Sequence, residues 1–225
     1  MLRVGLTGGL GSGKSTAAAM LRELGAKVTE SDALGRAMME PGQPVFDEIV
    51  QHFGRQVVSA DGHLNRARLA EIAFRDGRLQ ELNAIVHPPV IEAQKRWMEE
   101  VEASDPAAIA VVESALIFEV VRDALASGEV NHPLADWRKR IDRIIVVTAP
   151  DALKVERYAA RVSPSGAGRD AIKADARNRL AHQVPDAAKA AQADYVLDNS
   201  GDVAALRAQV QGLWPRLRDE SNNPR

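Results

Sequence analysis

Residues 1–21 read MLRVGLTGGLGSGKSTAAAML, and this stretch decides the fold. Leu2 to Thr7 is short, apolar and β-rich. Ser15 to Leu24 has a helical pattern that Gly25 ends. Between them Gly8, Gly9, Gly11 and Gly13 fall within six residues and are followed by Lys14, Ser15 and Thr16. Residues 8–15 fit G-x-x-x-x-G-K-[ST], the phosphate-binding loop pattern, with a strand before it and a helix after it. Polyphosphate oxygens need several N–H donors converging at hydrogen-bond distance, and a backbone poor in side chains can curl that tightly. The helix start adds unpaired N–H groups and a positive dipole end. Gly8, Gly9, Gly11, Ser12, Gly13, Lys14, Ser15 and Thr16 are therefore expected to hold a nucleoside triphosphate. Lys14 reaches the β- and γ-phosphates in this motif, and the Ser15 hydroxyl is the expected Mg²⁺ ligand.

The rest of the chain alternates in kind. Lys27 to Thr29, Ala107 to Val112, Ile144 to Val147 and Tyr195 to Leu197 read as strands. Helical patterns cover 33–39, 43–53, 66–75, 150–162, 169–183, 185–193 and 202–217. A further helix is expected to start at Pro88 and Pro89, which suit a first turn, and to carry Trp97, Met98 and Val101. Short apolar strands alternating with helices imply an α/β protein with a doubly wound, five-stranded parallel sheet. Ligands of such sheets bind at the carboxyl ends of the strands. The expected organisation is one domain over 1–218. Its core spans 1–34, 104–150 and 190–218, with a helical insertion at about 35–103, a lid at about 157–183 and a disordered tail at 219–225. The tryptophans Trp97, Trp137 and Trp214 are expected in the core.

The 225 residues carry 29 Lys and Arg against 31 Asp and Glu, with no block of like charge, so no broad nucleic-acid footprint is visible. There are no cysteines, which excludes disulfides and thiolate metal sites. No apolar run approaches the length of a transmembrane helix, and no targeting leader is read at the start. A cytoplasmic setting is expected. His52, His63, His132 and His182 show no metal-ligand spacing.

The GTPase pattern N-K-x-D does not occur, and D-x-x-G occurs only at Asp32–Gly35 and Asp198–Gly201 without it, so the GTPase pair is incomplete. The strand-plus-acid pattern of motor and transporter ATPases has only one weak candidate, Ala110-Val111-Val112-Glu113. A small kinase remains, which needs a base near the acceptor hydroxyl and arginines that close over the phosphates. Asp32 follows a strand on the same edge as the loop. Arg157 and Arg161 lie four apart on a helix leading into the loop Ser163-Pro164-Ser165-Gly166-Ala167-Gly168. Each has a structural alternative. Asp32 suits the cap of the helix 33–39, and two arginines near Glu156 suit a solvated face.

Further segments resemble the dephospho-coenzyme A kinase family. LTGGLGSGKST is similar to that family's loop. Glu30-Ser31-Asp32-Ala33-Leu34-Gly35-Arg36 resembles its D-A-D-x-x-x-R, with Glu30 and Ser31 in place of Asp and Ala. Leu64 to Leu69 resembles L-D-R-x-x-L, and His87-Pro88 resembles H-P. Leu116-Ile117-Phe118-Glu119 resembles the end of P-L-L-F-E. Arg179, Gln183 and Lys189 resemble R-x-x-x-Q followed by K, and 193–201 resembles A-D-Y-V-I-D-N-x-G. Ser114-Ala115 departs from the family pattern, and 120–140 is longer than usual.

The resemblance implies transfer from ATP, with Mg²⁺, to the ribose 3′-hydroxyl of dephospho-coenzyme A. Asp32 would accept the hydroxyl proton, and Lys14, Arg157 and Arg161 would stabilise the moving phosphoryl group. Arg66, His87 and Leu116 would lie near the acceptor, Arg66 on its diphosphate, and Asn199 and Gly201 near the adenine. Their structural alternatives are an exposed first-turn charge for Arg66, a helix-start turn or a satisfied buried histidine for His87, and a strand-to-helix turn at Asn199-Ser200-Gly201. The implied partner is a small molecule, with no nucleic acid or membrane, acting on a monomer or weak homo-oligomer. A nucleoside monophosphate kinase and a non-kinase nucleotide-dependent regulator are the alternatives.

Overall fold

The computed structural model describes residues 1–126, 128, 132 and 134–223, and for Phe74 the backbone alone. Residues 127, 129–131 and 133 of the long connection at 120–140 therefore lie outside the described residues. The chain forms two compact units, Met1–Thr29 with Met98–Arg225, and Glu30–Trp97.

In chain order the elements are β1 (Leu2–Thr7), α1 (Lys14–Glu23), β2 (Lys27–Glu30), α2 (Ser31–Met38), α3 (Pro44–Phe53), α4 (Arg66–Phe74), α5 (Leu79–Ser104), β3 (Ile109–Glu113) and α6 (Ile117–Ala126). They continue with β4 (Arg143–Thr148), α7 (Asp151–Val162), α8 (Arg169–Ala181), α9 (Asp186–Ala190), β5 (Tyr195–Asp198) and α10 (Val203–Asn222).

The first unit is built on a five-stranded parallel sheet of order β2-β3-β1-β4-β5. β1 is central and is buried at every position but Arg3. It pairs with β3 in the register Leu6 beside Glu113, and with β4 in the register Thr7 beside Val146. Buried parallel strands need apolar residues on both faces, which Ile109–Glu113 and the middle of Arg143–Thr148 supply apart from Glu113. One face is covered by α1 and α10 through Ala17, Leu21, Leu206, Val210 and Leu217. The other carries Ile117, Phe118, Trp137, Ile141 and Ile144. Trp137 meets Phe118 edge-on, Trp214 is half-buried against the first face, and Trp97 is half-buried. From β1 the chain goes to one side of the sheet and returns on the other, so its loop sits where the strand order reverses.

The second unit is helical. Val45, Ile49, Phe53, Val57, Leu64, Leu69, Ile72 and Ile85 form its own apolar cluster.

Three expectations are corrected. The helix expected to begin at Pro88 begins at Leu79, so His87, Pro88 and Pro89 are interior to α5. Two prolines remove two ladder donors, at a cost of roughly 3 kcal/mol or more each in an ordinary helix. Burial of Ile85, Val90, Met98 and Val101 along the helix offsets it. Asp32 does not cap its helix. α2 starts two residues earlier than expected, at Ser31, with Glu30 at the N-cap making no side-chain cap bond, and Asp32 lies in the first turn. The disordered tail at 219–225 is helical through Asn222. Ser221 is buried and its hydroxyl donates to the carbonyls of Ala107 and Ala108, while Glu220 pairs with Arg143 and accepts from the Tyr195 hydroxyl. Pro224 and Arg225 lie outside the described residues.

Candidate active site

The loop between β1 and α1 is shaped by the protein behind it. Gly8, Gly11 and Gly13 have φ of 150°, 75° and 100°. At the latter two, a left-handed backbone favours glycine. A Cβ on Gly8 would lie 2.2 Å from the Val147 carbonyl oxygen, one on Gly11 2.2 Å from the Lys154 carbonyl oxygen, and one on Gly13 2.1 Å from Asn199 Nδ2. These glycines make room for strand β4, helix α7 and the loop after β5. The sequence reading assigned that room to the ligand alone.

Four polar side chains complete the support. Asn199, buried, donates from Nδ2 to the Ser12 carbonyl at 2.7 Å. Gln183 Oε1 accepts from the Leu10 N–H at 2.9 Å, and Asp186 Oδ1 accepts from the Gly9 N–H at 3.2 Å. Lys154, 2% exposed, pairs with Asp186 at 2.7 Å and Asp151 at 2.8 Å. A cavity of about 570 Å³ opens beside Gly9, lined among others by Lys154, Glu156, Arg177, Gln183 and Asp186.

At its helix end the loop presents the Ser15 and Thr16 amides to a ligand. Ser12 N–H and the Lys14 ammonium both donate to the Gly9 carbonyl, at 3.1 and 3.0 Å. The first intrahelical donor of α1 is Ala17, whose N–H bonds to the Gly13 carbonyl. The amides of Ser15 and Thr16 precede it and have no intrahelical acceptor, the ordinary condition of a helix start and the basis of anion binding there.

Ser15 Oγ lies 3.4 Å from Glu113 Oε1. Glu113, 9% exposed, ends β3 beside Leu6. A hydroxyl and a carboxylate at the mouth of a phosphate loop are hard oxygen donors of the kind Mg²⁺ takes. The residues present fit that ion. Among the described residues no group of three or more His, Asp or Glu side chains could hold a metal without further ligands. Glu113 was undervalued in the sequence because a single acid after four apolar residues is a weak pattern.

Arg157 and Arg161 do not act on one target in this structure. Arg157 donates to the carbonyls of Asn199 at 2.8 Å and Gly201 at 3.2 Å, so it braces the loop after β5. Arg161 is exposed, with its guanidinium 5.6 Å from the Tyr158 ring centroid. α7 and α8 form a hairpin held by Glu156, which pairs with Lys173 and Arg169. The Lys173 hydrogen bond is the main cause that lowers the Glu156 carboxyl below its ordinary range, with Lys173 and Arg169 adding charge. Asn199 and Gly201 thus join Arg157 and Ser12 in one network. Leu116, half-buried, follows β3 in the same unit, and its N–H donates to Ser114 Oγ.

The second unit holds Asp32, Arg66 and His87. Asp32 is exposed in the first turn of α2, two residues beyond the end of β2. Arg66 opens α4 behind its N-cap Asn65, which accepts from the Arg68 N–H, and pairs loosely with Glu40 at 3.5 Å. Neighbouring Ser31 is buried and accepts from Gln94 at 2.8 Å, which anchors the turn that presents Asp32.

Sequence reasoning missed Lys154, Asp151 and Asp186. Gln183 and Lys189 entered it only through the resemblance. No local pattern marks Asp186 or Gln183, whose side chains take amides of Gly9 and Leu10 far back in the chain.

The profile of the dephospho-CoA kinase family matches residues 2–205. The chain belongs to that family. A dephospho-CoA kinase of Moorella thermoacetica is 36% identical over 219 residues, covering 97% of this chain and 93% of the relative. One from Thermobifida fusca is 39% identical over 219 residues, covering 97% of each. A crystal structure of a Thermus thermophilus protein superposes with a TM-score of 0.68 at 31% identity, covering 96% of this chain and 97% of that one. A Campylobacter jejuni dephospho-CoA kinase, at 18% identity and a TM-score of 0.62, shares the fold. Kinases of this family use ATP with a divalent metal.

Proposed function

We propose that the chain transfers the γ-phosphoryl group of ATP to the ribose 3′-hydroxyl of dephospho-coenzyme A, giving coenzyme A and ADP, with the following division of labour. The Ser15 and Thr16 amides and the Lys14 ammonium hold the triphosphate. Ser15 and Glu113 would hold Mg²⁺, which when bound would neutralise charge on the triphosphate. Asp32 orients the hydroxyl and accepts its proton. A carboxylate suffices because the transition state of phosphoryl transfer is loose and catalysis is mostly positioning and charge stabilisation.

Arg161 is the lid cation best placed to move, since its guanidinium is exposed. Arg157 already satisfies two carbonyls and contributes by holding the loop after β5, where Asn199 and Gly201 meet the adenine. It can turn to the phosphoryl group only by releasing them. Arg66, His87 and Leu116 serve the acceptor, with Arg66 on its diphosphate. The second unit is the acceptor-binding insertion, and the α7–α8 hairpin is the lid. The substrate is a small molecule, the setting is the cytoplasm, and the enzyme works as a monomer or weak homo-oligomer without a nucleic-acid or membrane partner. No helix among the described residues is long and apolar enough to cross a membrane.

The observation that carries the reading is the family match over residues 2–205, on a loop whose amides and Ser15–Glu113 pair suit a metal-bound triphosphate. A coupled assay of ADP release tests it. Turnover should rise strongly on adding dephospho-coenzyme A. Equal turnover with and without acceptor would overturn the assignment.

A further inference from the structure

The first unit buries one further ion pair that touches none of the groups assigned to ATP, metal or acceptor. Lys189 of α9 is fully buried, and its ammonium lies 2.8 Å from Glu119 Oε1 of α6, itself 2% exposed. Burying two charges costs several kcal/mol each, and an apolar pair of similar volume usually holds two helices at least as well. The second carboxylate oxygen, Glu119 Oε2, is buried with no hydrogen-bond partner. A pair kept only for packing would not need such a group.

The geometry shows what the charges do. Glu119 Oε1 also accepts the Val184 N–H at 2.8 Å, and Lys189 Nζ also donates to the Ala115 carbonyl at 3.1 Å. Val184 stands in the short turn between α8 and α9, next to Gln183 and two residues before Asp186. Those two side chains take the amides of Leu10 and Gly9. Ala115 stands two residues after Glu113, the carboxylate facing Ser15. One buried pair therefore ties both sides of the nucleotide site: the turn that backs the phosphate loop and the strand exit that carries the candidate metal carboxylate.

We propose that Glu119 and Lys189 are positioning residues for the metal-bound triphosphate. They fix the 183–186 turn and the 113–115 strand exit in one register. The proposal rests on the phosphate-loop reading above, while its most direct readout, loop amide exchange, needs no substrate.

Lys189→Met leaves an uncompensated buried carboxylate and should lower the thermal midpoint sharply. Adding Glu119→Gln should restore most of that midpoint. The double variant should still show a KM for MgATP raised about tenfold, the size typical of lost outer-shell support. Its KM for dephospho-coenzyme A should stay within about twofold, and Lys189→Arg should rescue in part. By NMR, hydrogen exchange at the Gly9 and Leu10 amides should quicken about tenfold. A double variant with wild-type midpoint, wild-type MgATP KM and wild-type exchange would reduce the pair to packing and overturn the proposal. Should the double variant not fold, Glu119→Gln alone decides by the same two amides: faster exchange supports the proposal, and unchanged exchange overturns it. A wild-type enzyme inactive on dephospho-coenzyme A would sink the acceptor assignment and leave these amide rates unaffected.

Discussion

The two units of this chain solve the same problem, holding helices and loops in place, by opposite means. In the first, the buried charged and amide side chains include Lys14, Glu113, Glu119, Lys154, Lys189 and Asn199, each 9% exposed or less. In the second, the buried polar residues among those described are Ser31 and Gln94, which bond each other. Its ion pairs lie at the surface. Glu81 pairs with Arg78 and His52, Glu71 with Arg68 and Arg75, and Glu40 with His63 and Arg66. An apolar cluster with exposed pairs is enough when helices need only pack, since surface pairs add little. A loop that must keep amides pointed at a ligand cannot be held by apolar contact. Directional bonds to its backbone do that, and they are strongest where water is excluded.

Function inverts the contrast at one residue, where the largest effect is expected. Asp32 belongs to the second unit and is exposed, so Asp32→Asn should leave folding and ATP affinity nearly intact while kcat falls by about 10² to 10⁴, the range for a lost general base. Steady-state kinetics beside an ATP-binding titration will show it; unchanged kcat would remove the role.

The next effect sharpens the contrast on the stability side. Lys154→Met strands Asp186 beside Gly9 without its cation. Denaturant titration should show a loss of about 3–5 kcal/mol, whereas Arg75→Met in the second unit, breaking an exposed pair with Glu71, should cost no more than about 0.5 kcal/mol. Similar losses at both sites would break the distinction.

Asn199→Ala comes third. It leaves the buried Ser12 carbonyl without its side-chain donor, at a cost of about 1–3 kcal/mol, and should raise the KM for ATP more than that for the acceptor. An equal rise in both would place Asn199 outside the nucleotide site.

The smallest effect is electrostatic. The Arg78 hydrogen bond, then that of His52, lowers the exposed Glu81 carboxyl from 4.5 to about 2. With the folded-state value depressed, whatever the group adds to stability is present above about pH 4.5 and lost as pH falls towards 2. A carbon-detected NMR titration should find the midpoint near 2 and see it climb towards the ordinary value in Arg78→Ala. An unmoved midpoint would mean the Arg78 bond is not what holds it down.

What the sequence made legible follows from range. The loop at 8–15, the four later strands and most helices depend on neighbours a few residues away, and local pattern carries them. α5 was misread because a proline pair is locally a start signal, while burial of Ile85, Val90, Met98 and Val101 is a tertiary matter that overrides it. The end of α10 was misread for the same reason: Ser221 and Glu220 look like a polar tail until the residues leading into β3, and Arg143 of β4, supply their partners. Within the site, Lys14 and Ser15 announce themselves by motif. Lys154 and Asp186 do not, because their meaning lies in Gly9 and Gly11, far back in the chain.

The most direct test of this account is which amides of the loop respond to nucleotide. On titration of the ¹⁵N-labelled protein with MgATP, the signals of Gly13 to Thr16 should move strongly. Those of Gly9 and Leu10, held by Asp186 and Gln183, should stay within a small fraction of those shifts. If Gly9 and Leu10 move as far as the others, or if Gly13 to Thr16 do not move, the loop is not a two-faced support with protein behind it and triphosphate in front.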